Sequence, residues 1–268
     1  MSKLHPPFPC YGGKFRHLDV LLPLIPKHHT YVEVFGGSAA ILLNKTHSPV
    51  EIYNDIDEGA TLFFKVLRDH TDELIRKVML TPYSRGEYNL CWRCWRLADD
   101  PVEKARMWYF AAATSFSGRF GHGLSTSPTA SSRGTAFAVS AYIGRVENLW
   151  AVASRLRSVI VENLDFREII RRYDTPDTAF YIDPPYYPGT RDAAGTYTHE
   201  LVAKDHSDLV DLLLATQGKV LLSGYDNPEY NRLEEAGWNK KTYTAWSSAA
   251  LRNSKRGRFR EETVWLNF

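Results

Sequence analysis

The chain has little sulfur: three cysteines (Cys10, Cys91, Cys94) and three methionines in 268 residues. An odd, small cysteine count excludes a disulfide framework. Cys91-Trp92-Arg93-Cys94 is a single CxxC. Zinc needs four ligands, and no second CxxC or HxxxH completes a site, so no metal is expected. A redox pair would want a βαβ setting that the flanking residues lack, so the motif reads as part of a structural helix. Long apolar runs are missing, which leaves no candidate for a membrane span. Met1-Ser2-Lys3-Leu4-His5-Pro6-Pro7 lacks the apolar centre of a signal peptide, so a soluble cytoplasmic protein is expected. Strong net charge is missing too. At +2 the total is silent about a polyanion partner, and local clusters have to carry that question. There is no low-complexity tract and no internal repeat. With 44% apolar and 24% charged residues the composition is globular, and the length suits one large domain or two modest ones.

What is present is alternation of strands and helices at both ends of the chain. Tyr31–Phe35 reads as a strand, Gly36-Gly37-Ser38 as a tight turn, and Ala39–Leu43 as the start of a helix. Val50–Tyr53 reads as a second strand that ends at Asn54-Asp55, completing a βαβ unit. From Thr61 to about Trp150 the helical period dominates, over Thr61–Leu67, Asp72–Met79, Val102–Ala113 and Tyr142–Leu156. Ser115–Ser140 interrupts it with Gly, Ser and Thr, and spaces Arg119, His122 and Arg133 among aromatics. A loop or irregular hairpin of that length is usually functional. Alternation resumes with a strand at Ser158–Val161 and a helix at Phe166–Arg172. A strand at Thr178–Ile182, a helix at Asp205–Thr216 and a strand at Lys219–Ser223 follow. A helix at Asn227–Ala236, closed by Gly237, precedes strands at Lys241–Trp246 and Thr263–Phe268. These last two flank the basic stretch Arg252–Arg260. One α/β domain with a helical, loop-bearing insertion results, with bounds of 1–60 and 158–268 for the first and 61–157 for the second.

Four stretches sit where chemistry is placed in such folds. Thr178–Ile182 is an apolar strand stopped by Asp183-Pro184-Pro185-Tyr186-Tyr187, since proline cannot continue a ladder. Asp183 therefore stands at a strand end, where open α/β sheets bind ligands. Glu33-Val34-Phe35-Gly36-Gly37-Ser38-Ala39 is neither a Walker loop nor GxGxxG, but its glycine turn between strand and helix suits a nucleoside-sized ligand. Asp55 ends the next strand, a place for an acid that binds ribose hydroxyls or simply faces water. Tyr11-Gly12-Gly13-Lys14 allows close backbone approach beside one cation.

In this order and spacing the stretches resemble the Dam-type DNA adenine-N6 methyltransferases, the α-group of amino-methyltransferases, over almost the whole chain. Asp-Pro-Pro-Tyr is the specific element, and each other motif is weak alone. The tail, Leu222–Asn227 and Arg260–Asn267, is similar to phage and prophage members. The resemblance implies a Rossmann-like, seven-stranded class I methyltransferase sheet with a helical target-recognition insertion. It implies transfer of a methyl group from S-adenosyl-L-methionine to N6 of an adenine flipped out of double-stranded DNA. Cytosine-N4 methylation and a non-catalytic, cofactor-holding DNA-binding module are the alternatives. The implied catalytic residues are Asp183, Pro184, Pro185 and Tyr186. The cofactor is assigned Cys10, Tyr11, Lys14, Glu33, Phe35, Gly36, Gly37, Asp55, Phe166 and Asp183. DNA is assigned Arg119, His122, Arg133, Tyr197, His199, Arg256 and Arg258. A monomer in solution is expected, in a bacterial or phage-infected cell. Two departures stand out: Ala39 occupies the place of the second glycine of Phe-x-Gly-x-Gly, and Cys10 the place of a common aromatic. Neither removes a charge, so altered affinity rather than lost binding is expected.

Overall fold

The computed structural model describes residues 3–188, 200–246 and 259–268. Its strands are β1 (Thr30–Glu33), β2 (Val50–Asn54), β3 (Val159–Glu162), β4 (Thr178–Ile182), β5 (Lys219–Gly224), β6 (Asn239–Trp246) and β7 (Phe259–Leu266). The helices are α1 (Leu18–Leu21), α2 (Ala40–Asn44), α3 (Glu58–Asp69), α4 (Thr71–Met79), α5 (Arg85–Cys94) and α6 (Pro101–Thr114). They continue with α7 (Phe137–Glu147), α8 (Leu149–Leu156), α9 (Phe166–Tyr173), α10 (Ala203–Ala215) and α11 (Pro228–Glu235). No helix among the described residues is long and apolar enough to cross a membrane.

The strands form one seven-stranded sheet in the order β3-β2-β1-β4-β5-β7-β6. β1 pairs in parallel with β2 and β4, β4 pairs in parallel with β5, and β7 runs antiparallel to β5 and β6. The order reverses between β1 and β4, the topological switch point at which open sheets bind ligands. All five residues of β4 are buried, which explains an apolar run without alternation: both faces of a central parallel strand are covered.

The chain divides into two compact units. One comprises Arg16–Gly36, Lys45–Ile56 and Glu162–Phe268. On one face of its strands Val32, Ile52, Phe180, Ile182, Val220 and Leu222 pack with Phe166, Ile169, Leu209, Leu213, Tyr230 and Trp265. The other comprises Met1–Phe15, Gly37–Asn44 and Asp57–Val161. Its centre is α6, whose Tyr109 stacks on Phe63 of α3 at 4.7 Å. Asp57 and Asp100 cap α3 and α6 by accepting backbone N–H bonds, and Pro101 opens α6 where no N–H is needed. Gly59 is required there, because a Cβ would lie 2.0 Å from the Trp108 indole nitrogen.

The units differ from the sequence-based bounds: Met1–Phe15 and Gly37–Asn44 group with the helices rather than with the sheet. The apolar period of Tyr142–Leu156 belongs to two helices, α7 and α8, separated at Asn148. The loop that starts at Ser115 ends where α7 begins, at Phe137.

One buried side chain ties three strand ends together. Asn54 is 1% exposed. Its Nδ2 donates to the Val34 carbonyl at 2.9 Å and the Leu164 carbonyl at 3.1 Å, and its Oδ1 accepts from the Leu164 N–H at 2.9 Å. Its carbonyl accepts from Gly36 N–H at 2.8 Å. Replacing it strands buried polar groups, so Asn54→Ala is expected to lower unfolding free energy by about 2–4 kcal/mol in urea titration.

Candidate active site

In the sheet unit, register decides which side chains share a face. Glu33 pairs with Tyr181, and Tyr181 pairs with Leu221. Successive side chains alternate faces, so Glu33, Asp183 and Ser223 fall on the face opposite Phe180, Ile182 and Leu222. Two prolines halt β4 at Asp183, while β5 continues beside it to Gly224. Ser223 Oγ accordingly donates to Asp183 Oδ1 at 2.9 Å and orients the half-buried carboxylate. The charge of Asp183 is felt nearby: the Tyr230 hydroxyl is held well above its ordinary pKa, first by burial and then by that carboxylate.

The two tyrosines after the prolines part company. Tyr186 is 4% exposed; its ring lies 4.3 Å from that of Tyr225, and its hydroxyl donates to Glu262 Oε1 at 3.3 Å. Tyr187 turns to His206 of α10, ring to ring at 5.2 Å. Sequence reading gave Ser223, Tyr225 and Glu262 no role of their own. Ser223 could have been found from the parallel pairing of two apolar strands that both end in polar residues; the others left no local signal.

The remaining candidates of this unit gather at the ends of β1, β2 and β3. Glu33 is buried and accepts from the Tyr31 hydroxyl at 2.9 Å. Gly36 has no room for a side chain, since a Cβ would meet the Tyr53 ring at 2.2 Å. Asp55 is half-buried, and its backbone is fixed by the Glu162 carbonyl and by Asn163 Nδ2, which donates to the Asp55 carbonyl at 2.7 Å. Phe166 opens α9 beside Phe35, with ring centroids 5.8 Å apart, and the Arg167 guanidinium covers its ring at 4.1 Å. Phe166 is thus a core residue flanked by a half-buried aromatic and a half-buried cation.

In the helical unit Tyr11-Gly12-Gly13-Lys14 forms a turn: Gly13 N–H donates to the Cys10 carbonyl, and Gly12 takes a positive φ of 74°. Lys14 is 3% exposed and donates to the Gly12 carbonyl at 3.2 Å. Gly37 and Ala39 both have positive φ, at 48° and 58°. Ala39 therefore holds a left-handed backbone, at a cost of about 1–2 kcal/mol for a residue with a side chain. A Cβ on Gly37 would meet Cys10 Sγ at 3.6 Å, so the small Cys10 side chain lies against this turn.

The loop after α6 is pinned at its base. Ser115 bridges Leu124, Tyr88 shares a hydrogen bond with Ser115 Oγ at 2.9 Å, and Tyr83 donates to the Ser125 carbonyl at 2.7 Å. Arg119 lies over the Tyr11 ring at 5.2 Å, so the loop reaches the Gly-Gly-Lys turn within this unit, and its buried Nε has no hydrogen-bond partner among the described residues. His122 is exposed, and Arg133 pairs with Glu147 at 3.2 Å on the surface. Tyr197, His199, Arg256 and Arg258 lie outside the described residues.

Cys91 and Cys94 share α5, as the sequence suggests. Burial pushes the Cys91 thiol up to about 12, with Glu87 accepting from Sγ at 3.4 Å. At pH 8 the thiol form therefore dominates. Iodoacetamide at that pH is expected to leave Cys91 unmodified in the folded protein and to label it after denaturation, as read by peptide mass.

A strand-end acid with a fixed carboxylate, a glycine turn after β1 and an acid after β2 form a donor set that suits a nucleoside cofactor and an amino-group acceptor. A family model for the D12 class N6 adenine-specific DNA methyltransferases matches residues 11–251. A search of curated proteins found no match to the chain. The family match takes in the glycine turns, both strand-end acids and the Asp-Pro-Pro-Tyr stop, and the chain belongs to the D12 class N6 adenine-specific DNA methyltransferases, which use S-adenosylmethionine as methyl donor.

Proposed function

We propose that this chain methylates N6 of adenine at a specific sequence of double-stranded DNA, with Asp183, Pro184, Pro185 and Tyr186 as its catalytic set. The observation that carries the reading is the position of Asp183: it ends β4 at the switch point of the sheet, with Ser223 holding one carboxylate oxygen. The adenine amino group has two hydrogens and a lone pair drawn into the ring. The Asp183 carboxylate accepts one N–H, and the Pro184 carbonyl, aimed by two fixed proline φ angles, accepts the other. Both bonds return electron density to the nitrogen. S-adenosylmethionine, when bound, supplies an electrophilic methyl group on sulfonium. Tyr186 provides an aromatic surface for the extruded base, where stacking is worth about 1–3 kcal/mol.

The residues fit that cofactor by their chemistry. The buried Lys14 ammonium suits a carboxylate, Asp55 suits two ribose hydroxyls, and the Phe35–Phe166 pair suits an adenine ring. Gly36 and Gly37 keep side chains out of the turn, while Glu33, Cys10 and Tyr11 complete the set. The helical unit, with the loop from Ser115, is assigned to target recognition, through Arg119, His122 and Arg133 to phosphates and base edges. Tyr197 and His199 are assigned to closure over the base, and Arg256 and Arg258 to phosphates. The protein acts as a monomer in the cytoplasm of a bacterial or phage-infected cell.

The test is incubation of purified protein with unmethylated genomic DNA and labelled S-adenosylmethionine, followed by digestion to nucleosides, mass analysis and sequencing. N6-methyladenine confined to one sequence context is expected. N4-methylcytosine, or no transfer, would contradict the reading.

A further inference from the structure

A second polar cluster lies at the tip of Tyr186. Glu262, on β7, is 5% exposed, and a buried carboxylate is costly unless its oxygens are satisfied. Its Oε1 accepts from the Tyr186 hydroxyl at 3.3 Å, and its Oε2 from the Tyr243 hydroxyl at 3.0 Å. Tyr243 stands directly across from it in the β6–β7 ladder. His17 Nδ1 lies 3.5 Å from the same Oε2 and 3.3 Å from the Tyr243 hydroxyl. The antiparallel ladder fixes the carboxylate on the face that also carries Ser223, because Ser223 pairs with Val264 and side chains alternate along β7. Glu262 thus belongs to the strand edge beside Asp183, although 76 residues separate it from Tyr186.

We propose that Glu262 is a positioning residue for methyl transfer: it holds the Tyr186 ring through its hydroxyl, and Tyr243 with His17 holds Glu262. The inference rests on the reading of Asp183 and Tyr186 as catalytic residues. The prolines fix the backbone of Tyr186, Tyr225 covers one face of its ring, and Glu262 fixes its tip. A base stacked on that ring takes its distance to the Asp183 carboxylate from the ring's placement. Misplacement by about 1 Å can cost about 100-fold in rate, so a hydrogen bond remote from the reacting atoms bears on the chemical step.

The experiment measures single-turnover methyl transfer to unmethylated DNA, together with S-adenosylmethionine affinity by calorimetry. The proteins are the parent, Tyr186→Phe, Glu262→Ala, Glu262→Gln, the Tyr186→Phe/Glu262→Ala double variant and Asp183→Ala. Tyr186→Phe and Glu262→Ala are each expected to slow transfer about 10-fold, with cofactor affinity within about twofold of the parent. The double variant is expected to be no slower than Glu262→Ala, because the Tyr186–Glu262 bond that Tyr186→Phe removes is already absent there. Glu262→Gln, which keeps a carbonyl acceptor for the Tyr186 hydroxyl, recovers most of the loss. A parental rate in Tyr186→Phe, or losses that multiply in the double variant, would overturn the inference. Tyr186→Phe removes one oxygen and decides the matter even where Glu262→Ala fails to fold. Asp183→Ala separates the two levels: an active Asp183→Ala sinks the underlying reading, whereas an inactive one beside a parental Tyr186→Phe sinks this inference alone.

Discussion

The Asp183 corner of the candidate site follows from one constraint: a wholly buried parallel strand is stopped by two consecutive prolines. β4 lies between β1 and β5 with both faces covered, so its apolar residues leave it no freedom of register. The stop delivers Asp183 at one height and on one face. Because β5 runs on beside it, Ser223 meets the carboxylate, and the partners of Tyr186 are then drawn from the loop after β5 and from β7. A carboxylate, a carbonyl and an aromatic ring come from four successive residues whose backbone has little choice. Their orientation depends on residues far away in sequence.

The other strand ends are set by a different device. Asn54 joins the turn after β1 to the segment after β3, and Gly36 admits the Tyr53 ring where any side chain would collide. Asp55 inherits its place from this clamp. Further along the turn after β1 the backbone of Ala39 is left-handed. A side chain in that conformation stores some backbone strain at the turn.

The fold was legible because its signals are local. Apolar runs gave the strands, glycine and proline their ends, and the α/β class followed from alternation. The Asp-Pro-Pro-Tyr stop and the strand-end acids were legible for the same reason. Non-local pairings were not. Ser223 lies 40 residues from Asp183, Asn54 lies 110 from Leu164, and His17 lies 226 from Tyr243. Only the tertiary fold brings them together. Periodicity also joined α7 to α8, since a break at Asn148 leaves the apolar stripe of both helices in phase. Phe166 shows a further limit: an aromatic at a ligand-binding position and an aromatic in the core have the same sequence signature.

The central claim is that the charged oxygens of Asp183 act on the adenine amino group rather than merely closing a strand. Asp183→Asn removes the charge and keeps the shape, so single-turnover methyl transfer by this variant is the most direct measurement, with S-adenosylmethionine affinity as its control. The account predicts a rate at least about 100-fold below the parent with cofactor still bound, the size of loss typical for one preorganised electrostatic partner. A rate within about threefold of the parent would contradict it, and would leave Asp183 as a strand end alone.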